Sequence, residues 1–299
     1  MTDGQIVVSG LTKQYKKLKA VNNLSFTVEP GRVTGFLGPN GSGKTTTLRM
    51  ILGLVNPTSG SATIGGTRYV DLQHPIHTVG AVLDASSVHR ARTGRDHLRI
   101  VCAATGLPDG RADEVLALVG LTAAAKRKFK GYSLGMRQRL GIATAILGDP
   151  HVLILDEPAN GLDPEGIHWM RDLLKGLASQ GRSVLISSHL LSEMQLLADD
   201  IVIIAAGELI KQGSVAAMTG EQQSRIRVRT PQAEELVRAL GAAASVTHSD
   251  GMMFVSGVDA SAIGRAALTV GAELHELFTE QADLEKVFLD LTRQGAGIR

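Results

Sequence analysis

The feature that most constrains this chain is the stretch GPNGSGKT at positions 38–45. It fits the pattern G-x-x-x-x-G-K-[ST], in which glycines let the backbone fold into a tight nest of inward-pointing N–H groups. The apolar run 33–37 precedes it and predicts a buried strand, and residues 47–52 predict the helix that follows. Because such a nest at a helix N-terminus binds a chain of phosphates, we predict a phosphate-binding loop.

The side chains of this loop have predicted roles that follow from their chemistry. Lys44 is expected to place its charge beside the β- and γ-phosphates, and the Thr45 hydroxyl is expected to ligate Mg²⁺. The competing interpretation is a glycine-rich turn with a solvated lysine, which the flanking strand and helix disfavour. The residues that we assign to nucleotide binding here are Gly38, Pro39, Asn40, Gly41, Ser42, Gly43, Lys44, Thr45 and Thr46.

Composition sets limits on the class of protein. The 299 residues suffice for about two domains, and the formal net charge of +2 gives no global reason to expect a nucleic-acid partner. Cys102 is the single cysteine, so no intrachain disulfide forms and a reducing compartment is expected. We see no signal peptide and no apolar run of the ~18–20 residues that a membrane helix needs. We therefore expect a protein that is soluble by itself.

Buried strands alternate with helices through the first two thirds of the chain. Apolar runs at 33–37, 79–83, 152–155 and 183–187 each end at polar or charged residues. This alternation predicts an α/β sheet with its ligand at the carboxyl ends of the strands. Besides the phosphate loop, the residues at these ends are Asp84, Asp156, Glu157 and His189.

The adjacent carboxylates of Asp156 and Glu157 are the expected partners of the phosphate loop. Asp156 is expected to hold the Mg²⁺ hydration shell beside Thr45, and Glu157 to orient or polarise a water in line with the γ-phosphate. Two neighbouring carboxylates at a strand end are costly unless a cation is present. The alternative is a surface strand end capped by acids, which the phosphate loop disfavours.

The character of the sequence changes after residue 219, where we predict a domain boundary. The first domain covers residues 1–219 and a small α+β domain covers 220–299. The second domain is expected to have the order βαββαβ plus a helix, which is typical of a ferredoxin-like module. It contains no catalytic cluster, and we interpret it as structural or dimer-stabilising. Its predicted elements are strands at 225–229, 245–248, 252–256 and 273–278 and helices at 232–240, 260–270 and 284–291.

A short basic run occupies residues 126–130, with the sequence KRKFK. A run of this length is weak evidence for nucleic-acid binding, because charged runs are usually solvated faces. We interpret it as a solvated face.

Further motifs carry a resemblance to a known family. DEP at 156–158, NGLDP at 160–164 and Ser188-His189 follow one another, and YSLGMRQRL lies upstream at 132–140. With the phosphate loop, they resemble the nucleotide-binding subunit of an ATP-binding-cassette (ABC) transporter. The YSLGMxQR form is similar to that of exporter ATPases of the bacitracin and daunorubicin type. The resemblance covers residues 6–213, and the segment LEKVFL at 284–289 also resembles that subgroup.

The chain departs from the family pattern at two places. Of the family signature L-S-G-G-Q, only Ser133 and Gly135 match, because Tyr132, Leu134 and Met136 differ. Asp84 stands where the family usually has glutamine. An aspartate still has oxygens for Mg²⁺ or water, but it is shorter and charged, and we keep it as a candidate metal ligand.

The resemblance implies a fold and a set of roles. The fold is a P-loop NTPase of the ABC type, with a mixed sheet and a helical subdomain. Tyr15 would stack on adenine, and Ser133 and the Gly135 N–H would meet the γ-phosphate from the opposite subunit. His189 would hydrogen-bond the γ-phosphate and hold Glu157 in place. Asp163 would lie at the dimer interface. Residues 86–95 would face the membrane subunit.

The implied function is an ATP-binding and ATP-hydrolysing subunit that energises export. It would work as a head-to-tail homodimer with ATP and Mg²⁺, on the cytoplasmic side of the membrane, docked to a separately encoded permease that selects the cargo. Two alternatives remain open. One is a soluble non-transport ATPase acting on DNA or ribosomes, against which stand the single cassette and near-neutral charge. The other is a nucleotide-dependent regulator with poor turnover.

Overall fold

The computed structural model describes residues 4–220, 225–241, 244–249 and 252–280. These residues form two compact units, of which the first ends at Ser214 and the second begins at Val215. The boundary that the sequence predicts, after residue 219, falls inside the helix that opens the second unit.

Strands and helices alternate along the first unit. Its strands, in the described residues up to Ser214, are β1 (Ile6–Tyr15), β2 (Leu18–Val28), β3 (Val33–Leu37), β4 (Ser59–Ile64), β5 (Val79–Val82), β6 (Val152–Asp156), β7 (Ser183–Ser188), β8 (Asp200–Ala205) and β9 (Glu208–Ser214). The helices of the same stretch are α1 (Lys44–Ile51), α2 (Pro75–Thr78), α3 (Gly94–Thr105), α4 (Arg111–Leu118), α5 (Leu134–Ala145), α6 (Pro164–Ser179) and α7 (Leu191–Leu197).

The central sheet has the strand order β5-β6-β7-β3-β8-β9. Its first five strands are parallel, and β9 pairs antiparallel with β8 at one edge. Every residue of β3 and of β7 is buried, as expected for parallel strands covered on both faces. Parallel strands end on the same side, so the carboxyl ends of β5, β6, β7 and β3 share one edge of the sheet. The predicted site residues follow these ends.

A smaller antiparallel sheet has the order β2-β1-β4 and shares a core with the central sheet. In that core the rings of Phe26 and Phe36 stack with their centroids 5.2 Å apart. The sequence predicts a basic turn over 13–19, but β1 continues to Tyr15, which pairs with Leu18. The turn itself is tight and passes through Lys16, whose φ is +52°. Strand pairing therefore extends through a stretch whose composition is typical of a loop.

The helix-rich stretch that the sequence predicts between residues 95 and 148 contains α3, α4 and α5, which pack on one another. Leu98, Val115 and Leu140, one from each helix, are fully buried. The side chain of Thr93 accepts the backbone N–H of Asp96 and caps α3. These contacts make the stretch a small helical layer attached to the central sheet through α5 and β5.

The second unit contains a four-stranded antiparallel sheet of order β11-β12-β10-β13. Its described elements follow the predicted βαββαβ order, but the last strand begins at Glu276 and not at residue 273, because a loop follows Gly271, the C-cap of α10. The predicted helix at 284–291 lies outside the described residues. Within the described ranges, no helix is long and apolar enough to span a membrane. The elements are α8 (Val215–Gly220), β10 (Arg225–Arg229), α9 (Ala233–Leu240), β11 (Ser245–Ser249), β12 (Met252–Ser256), α10 (Ala260–Val270) and β13 (Glu276–Glu280).

Candidate functional site

The phosphate loop joins β3 to α1, and two of its glycines are required by close contacts. Gly43 precedes α1 with φ +102°, and a Cβ there would lie 2.5 Å from the carbonyl oxygen of Ala20. A Cβ on Gly38 would lie 2.5 Å from Oγ of Ser42 and 2.6 Å from the carbonyl oxygen of Ile204. Such distances are sterically forbidden, so the glycines allow the loop to pack directly against β2 and β8.

The ammonium group of Lys44 is held inside this loop. Its Nζ donates to the carbonyl oxygens of Gly38 at 2.7 Å and Pro39 at 3.4 Å, and it lies 3.5 Å from Oε1 of Glu157. The side chain is only 7% exposed. A buried ammonium group requires such partners. The loop therefore holds a positive charge where the sequence predicts the outer phosphates to bind.

Thr45 and Asp156 meet at the loop, although they are far apart in the sequence. The Thr45 hydroxyl, at the start of α1, donates to Oδ2 of Asp156, at the end of β6, over 2.7 Å. Mg²⁺ is usually held by one or two carboxylates together with substrate phosphates and water, so this pair of oxygens fits a Mg²⁺ site. Within the described residues, no cluster of three or more His, Cys, Asp or Glu side chains could hold a metal. A cation here would need oxygens of the nucleotide and of water.

Glu157 adopts an unusual backbone conformation directly after β6. Its φ is +49°, in a region that costs a non-glycine residue about 1–3 kcal/mol. Oε1 of its carboxylate faces Lys44, and Oε2 lies 2.7 Å from Nδ1 of His189. An ionised carboxylate only accepts hydrogen bonds, so this contact orients His189 with Nδ1 as the donor. The structure thus brings together the three residues that the sequence predicts to be catalytic.

A residue that the sequence analysis missed, Ser187, connects the Asp156 carboxylate to the backbone of Glu157. Its hydroxyl accepts the backbone N–H of Glu157 at 2.9 Å and donates to Oδ1 of Asp156. Ser187 is fully buried on β7, and its strand partner in the parallel register is Asp156. The sequence marks Ser187 only as part of a buried strand, and the register that pairs it with Asp156 becomes visible in the folded sheet.

Ser133 and Gly135 lie at the start of α5. The Ser133 side chain accepts the backbone N–H of Met136 at 3.2 Å and caps the helix, and the residue is exposed. Asp163 caps α6 in the same way, by accepting the N–H of Gly166 at 2.8 Å. In the described chain, no hydrogen bond joins Ser133 or Asp163 to the phosphate loop of the same molecule. Their predicted contacts with a nucleotide stay a prediction.

The start of α5 is attached to the loop that precedes α6. Gln138 donates to the carbonyl oxygen of Asn160 at 3.2 Å. The side chain of Leu134 packs on Gly161, where a Cβ would lie 2.0 Å from its Cδ2. Gly161 has a φ of +79°, which favours glycine. The close contact with Leu134 favours glycine as well, because it leaves no room for a Cβ. The contact explains how a leucine is accommodated where the family signature has glycine.

Tyr15 and Asp84 are two further residues that the sequence predicts for the site. Tyr15 ends β1 and is 47% exposed, with Nζ of Lys13 5.0 Å from its ring centroid, so an open aromatic surface is available. Oδ1 of Asp84 accepts the backbone N–H of Ser86 at 2.8 Å and its hydroxyl at 2.6 Å. These hydrogen bonds, aided by the charge of Arg49, lower the pKa of Asp84. In the described chain no hydrogen bond joins Asp84 to Thr45 or Asp156, and its role as a metal ligand stays a prediction.

Comparisons with known proteins identify the family. The family model described as ABC transporter matches residues 21–160, and a model described as a domain of unknown function matches residues 224–285. The chain is 36% identical over 289 residues to the uncharacterized ABC transporter ATP-binding protein YhcH of Bacillus subtilis (strain 168), with 95% of each chain covered. It is 44% identical over 210 residues to the bacitracin transport ATP-binding protein BcrA of Bacillus licheniformis, with 69% of each chain covered.

Solved structures support the same assignment. One described as the ATP binding subunit of an ABC transporter superimposes with a TM-score of 0.66 at 26% identity, covering 72% of this chain and 92% of the other. The chain therefore belongs to the family of ABC transporter ATP-binding proteins. The predicted α/β fold of an ABC-type ATPase is confirmed, as are ATP binding and ATP hydrolysis as the activity of its nucleotide-binding domain.

Proposed function

We propose that this protein drives the export of a substrate through a separately encoded permease, by closing and opening as an ATP-bound homodimer. The observation that carries the proposal is the division of the predicted site. Glu157 contacts both Lys44 of the phosphate loop and His189, whereas Ser133 is exposed at a different helix end without a bond to that loop. One molecule therefore holds two complementary half-sites.

The catalytic half-site supports water activation by Glu157. Its carboxylate is oriented by Lys44 on one side and His189 on the other. A carboxylate fixed in this way is suited to accept a proton from a water aligned with the γ-phosphate. Nε2 of His189 is left to donate to a phosphate oxygen, which requires a ring that carries both protons. Lys44 would exchange its carbonyl partners for phosphate oxygens.

The Thr45–Asp156 pair is the proposed Mg²⁺ site. Both side chains offer oxygen ligands, and they already lie within hydrogen-bonding distance of each other. Bound Mg²⁺ would neutralise charge on the phosphates. Ser187 would keep the Asp156 carboxylate aimed at this position.

The second half-site supports head-to-tail pairing. We propose that Ser133 and the Gly135 N–H of one molecule contact the γ-phosphate bound by its partner. Asp163 would lie at the same interface, and Tyr15 would stack on the adenine. A helix N-terminus favours an anion, and α5 has no acidic residue in its first turn. Loss of the γ-phosphate on hydrolysis removes this bridge, so the two copies separate.

A groove beside the site is the proposed docking surface of the permease. It measures about 410 Å³ and lies between the end of β5, α5 and the segment after Asp84. Leu54, Ala81 and Val88 are among its lining residues, which gives it an apolar character. A short amphipathic segment of a membrane protein would fit there. The similarity to BcrA, a bacitracin transport ATP-binding protein, supports a role in transport. We further propose export as the direction and the cytoplasmic face of the membrane as the location.

The substitution Glu157→Gln tests the proposal. It keeps the size of the side chain but removes the carboxylate that would accept a proton from water. We expect turnover to fall by at least about 100-fold, in the range typical of general-base loss, while ATP and Mg²⁺ convert the protein from monomer to dimer in light-scattering chromatography. Glu165→Gln, an exposed acid in the first turn of α6, is the matched control and should keep normal turnover.

Two outcomes would contradict parts of the proposal. Normal turnover by Glu157→Gln would remove Glu157 as the water-orienting residue. A Glu157→Gln protein that binds ATP and stays monomeric, with Ser133→Ala causing no change in turnover, would remove the dimer. Stimulation of ATPase activity by the permease of the neighbouring gene, measured in proteoliposomes, distinguishes transport from the soluble and regulatory alternatives.

A further inference from the structure

Six cationic side chains form a patch on the helical layer of the first unit. The structure lays residues 90–95 beside residues 125–130, through Phe129 N–H to Arg92 C=O at 2.8 Å and Lys130 N–H to Arg90 C=O at 3.0 Å. Thr93 and Lys128 add an antiparallel bridge. The basic run of the sequence is therefore joined by two arginines from another segment. We call this surface the basic patch, and it consists of Arg90, Arg92, Lys126, Arg127, Lys128 and Lys130.

The patch faces outward because one aromatic residue anchors it. Phe129 is 2% exposed, and its ring lies 5.8 Å from the Tyr132 ring and 5.2 Å from the Arg137 guanidinium carbon. Burying Phe129 leaves its neighbours Lys128 and Lys130 on the surface. All six cationic residues are exposed. The arrangement is thus fixed by packing, and the exposed charges are held on one part of the surface.

The charges of the patch are uncompensated. In the described residues, none of the six forms an ion pair with a carboxylate, whereas the nearby Arg95 and Arg99 pair with Asp113 and Asp109 at 2.6 and 2.7 Å. The chain as a whole carries a formal charge of only +2. Charge is therefore distributed unevenly over the surface, with six cations in one place. Such a cluster attracts an anionic partner over about a Debye length.

The position of the patch indicates which anionic partner it meets. Residues 85, 87 and 88 line the groove that we propose for the permease, and Arg90 and Arg92 follow directly in the same loop. A permease is surrounded by lipid, so a surface next to its docking groove approaches the phospholipid headgroups. The aromatic residues beside the patch, Phe129 and Tyr132, are both buried. The patch therefore lacks the exposed aromatic platform with which proteins stack single-stranded nucleic acid.

We propose that the basic patch binds anionic phospholipid headgroups of the membrane that holds the permease. The inference rests on the proposed function, since it assumes work at a membrane. Guanidinium and ammonium groups bind lipid phosphates, and clusters of four to eight such groups that lie close to a membrane bind its anionic leaflet. Each contact is weak and screened by salt. The patch would orient the ATPase under the permease.

Co-flotation of the full chain with lipid vesicles tests this inference without the permease. One set of vesicles would contain phosphatidylglycerol and phosphatidylcholine in equal amounts, and the other phosphatidylcholine alone. We expect binding to the anionic vesicles at low salt, loss of binding at high salt, and none to the neutral vesicles. The variant R90Q/R92Q/K128Q/K130Q should lower partitioning by at least about tenfold, since each cation adds a severalfold factor at an anionic surface.

The control variant K16Q/K17Q/K19Q/K175Q removes the same charge from four exposed lysines elsewhere and should keep its partitioning. Equal loss in both variants, or no binding to anionic vesicles, would overturn the inference. Tighter binding to a duplex DNA of mixed sequence than to the vesicles, lost in the patch variant, would also overturn it. The proposed function fails separately, if the permease neither binds the protein nor raises its ATPase activity.

Discussion

At the scale of single residues, Ser187 orients the carboxylate of Asp156 and holds the backbone of Glu157. Its hydroxyl satisfies the backbone N–H of Glu157 and fixes one oxygen of Asp156, which leaves the other oxygen for Thr45. Glu157 has a positive φ, so its N–H does not continue the strand ladder and needs a partner of this kind. Removing the hydroxyl would leave the N–H of Glu157 without an acceptor. Such a loss costs about 1–3 kcal/mol of folding stability for a buried donor.

We predict that Ser187→Ala impairs Mg²⁺ use more than nucleotide binding. Without the hydroxyl, Asp156 loses the bond that orients it, and effects of about 10–100-fold are typical for partners that orient metal ligands. The Mg²⁺ concentration for half-maximal ATPase activity should rise and kcat should fall, while ATP affinity measured by calorimetry changes little. Ser183→Ala is the control, because Ser183 is equally buried on β7 but donates to the carbonyl oxygen of Gly4. If Ser187→Ala needed the same Mg²⁺ concentration as the wild type for half-maximal ATPase activity, Ser187 would not orient a Mg²⁺ ligand.

At the scale of elements, α5 and the loop before α6 form one packed unit. Leu134 covers Gly161, and Gln138 bonds to the carbonyl oxygen of Asn160. The loop ends at Asp163, which caps α6. A displacement of the start of α5 is therefore transmitted to the start of α6. In the proposed dimer, this attachment would make the two contacts with a partner's nucleotide move together.

We predict that Gly161→Ala is destabilising, and less so when Leu134 is shortened to alanine. The added Cβ would lie 2.0 Å from Cδ2 of Leu134. The alanine would also have to adopt a φ of +79°, which is strained for a residue with a side chain. Only the first cost is relieved by Leu134→Ala, so a double-mutant cycle should give a coupling of about 0.5–3 kcal/mol. Urea unfolding would be followed by the fluorescence of Trp169, the single tryptophan, which lies in α6.

A helical glycine without close neighbours provides the control for this cycle. Gly176 lies inside α6, and a Cβ added there would meet no atom within 4 Å. Gly176→Ala should therefore stabilise the helix by up to about 1 kcal/mol. If Gly161→Ala and Leu134→Ala changed the free energy of unfolding additively, with no coupling energy, α5 and the loop before α6 would not form one packed unit.

Local patterns predict those elements whose residues determine their own conformation. The phosphate loop, β6 and α6 were all predictable, because glycine spacing, an apolar run and a capping Asp-Pro pair act over a few residues. Ser187, the Leu134–Gly161 contact and the two arginines of the basic patch were not predictable, because each depends on strand register or on packing between distant segments. The strand through Tyr15 was missed for the same reason, since its pairing outweighs a loop-like composition.

At the scale of the whole molecule, the proposed transport cycle requires that the permease detects the nucleotide state. The groove between β5 and α5 adjoins Asp84, which follows the strand next to β6. Leu54 lines this groove and is 65% exposed, so a large apolar side chain is available to a partner there. The groove is therefore the part of the surface where the permease would be coupled to hydrolysis.

We predict that Leu54→Glu uncouples the protein from its permease. A carboxylate in an apolar groove opposes docking because it would be desolvated without a partner. Basal ATPase activity should stay within about twofold, since Leu54 is outside the nucleotide site, but stimulation by the permease in proteoliposomes should be lost. Leu118→Glu is the control, with an exposed leucine (53%) at the end of α4. Full stimulation of Leu54→Glu would show that the permease docks elsewhere.

The contacts of Lys44 have a consequence for how ATP enters. The ammonium is already satisfied by two backbone carbonyls and faces a carboxylate. Arrival of a triphosphate is then a substitution of partners, in which oxygens of the ligand displace oxygens of the polypeptide. Because the bonds that Lys44 gives up offset part of the attraction, we expect the affinity for ATP to be moderate even though the charges are large. We therefore expect ADP to dissociate readily after hydrolysis. The proposed transport cycle needs this property, because new ATP must bind in every cycle.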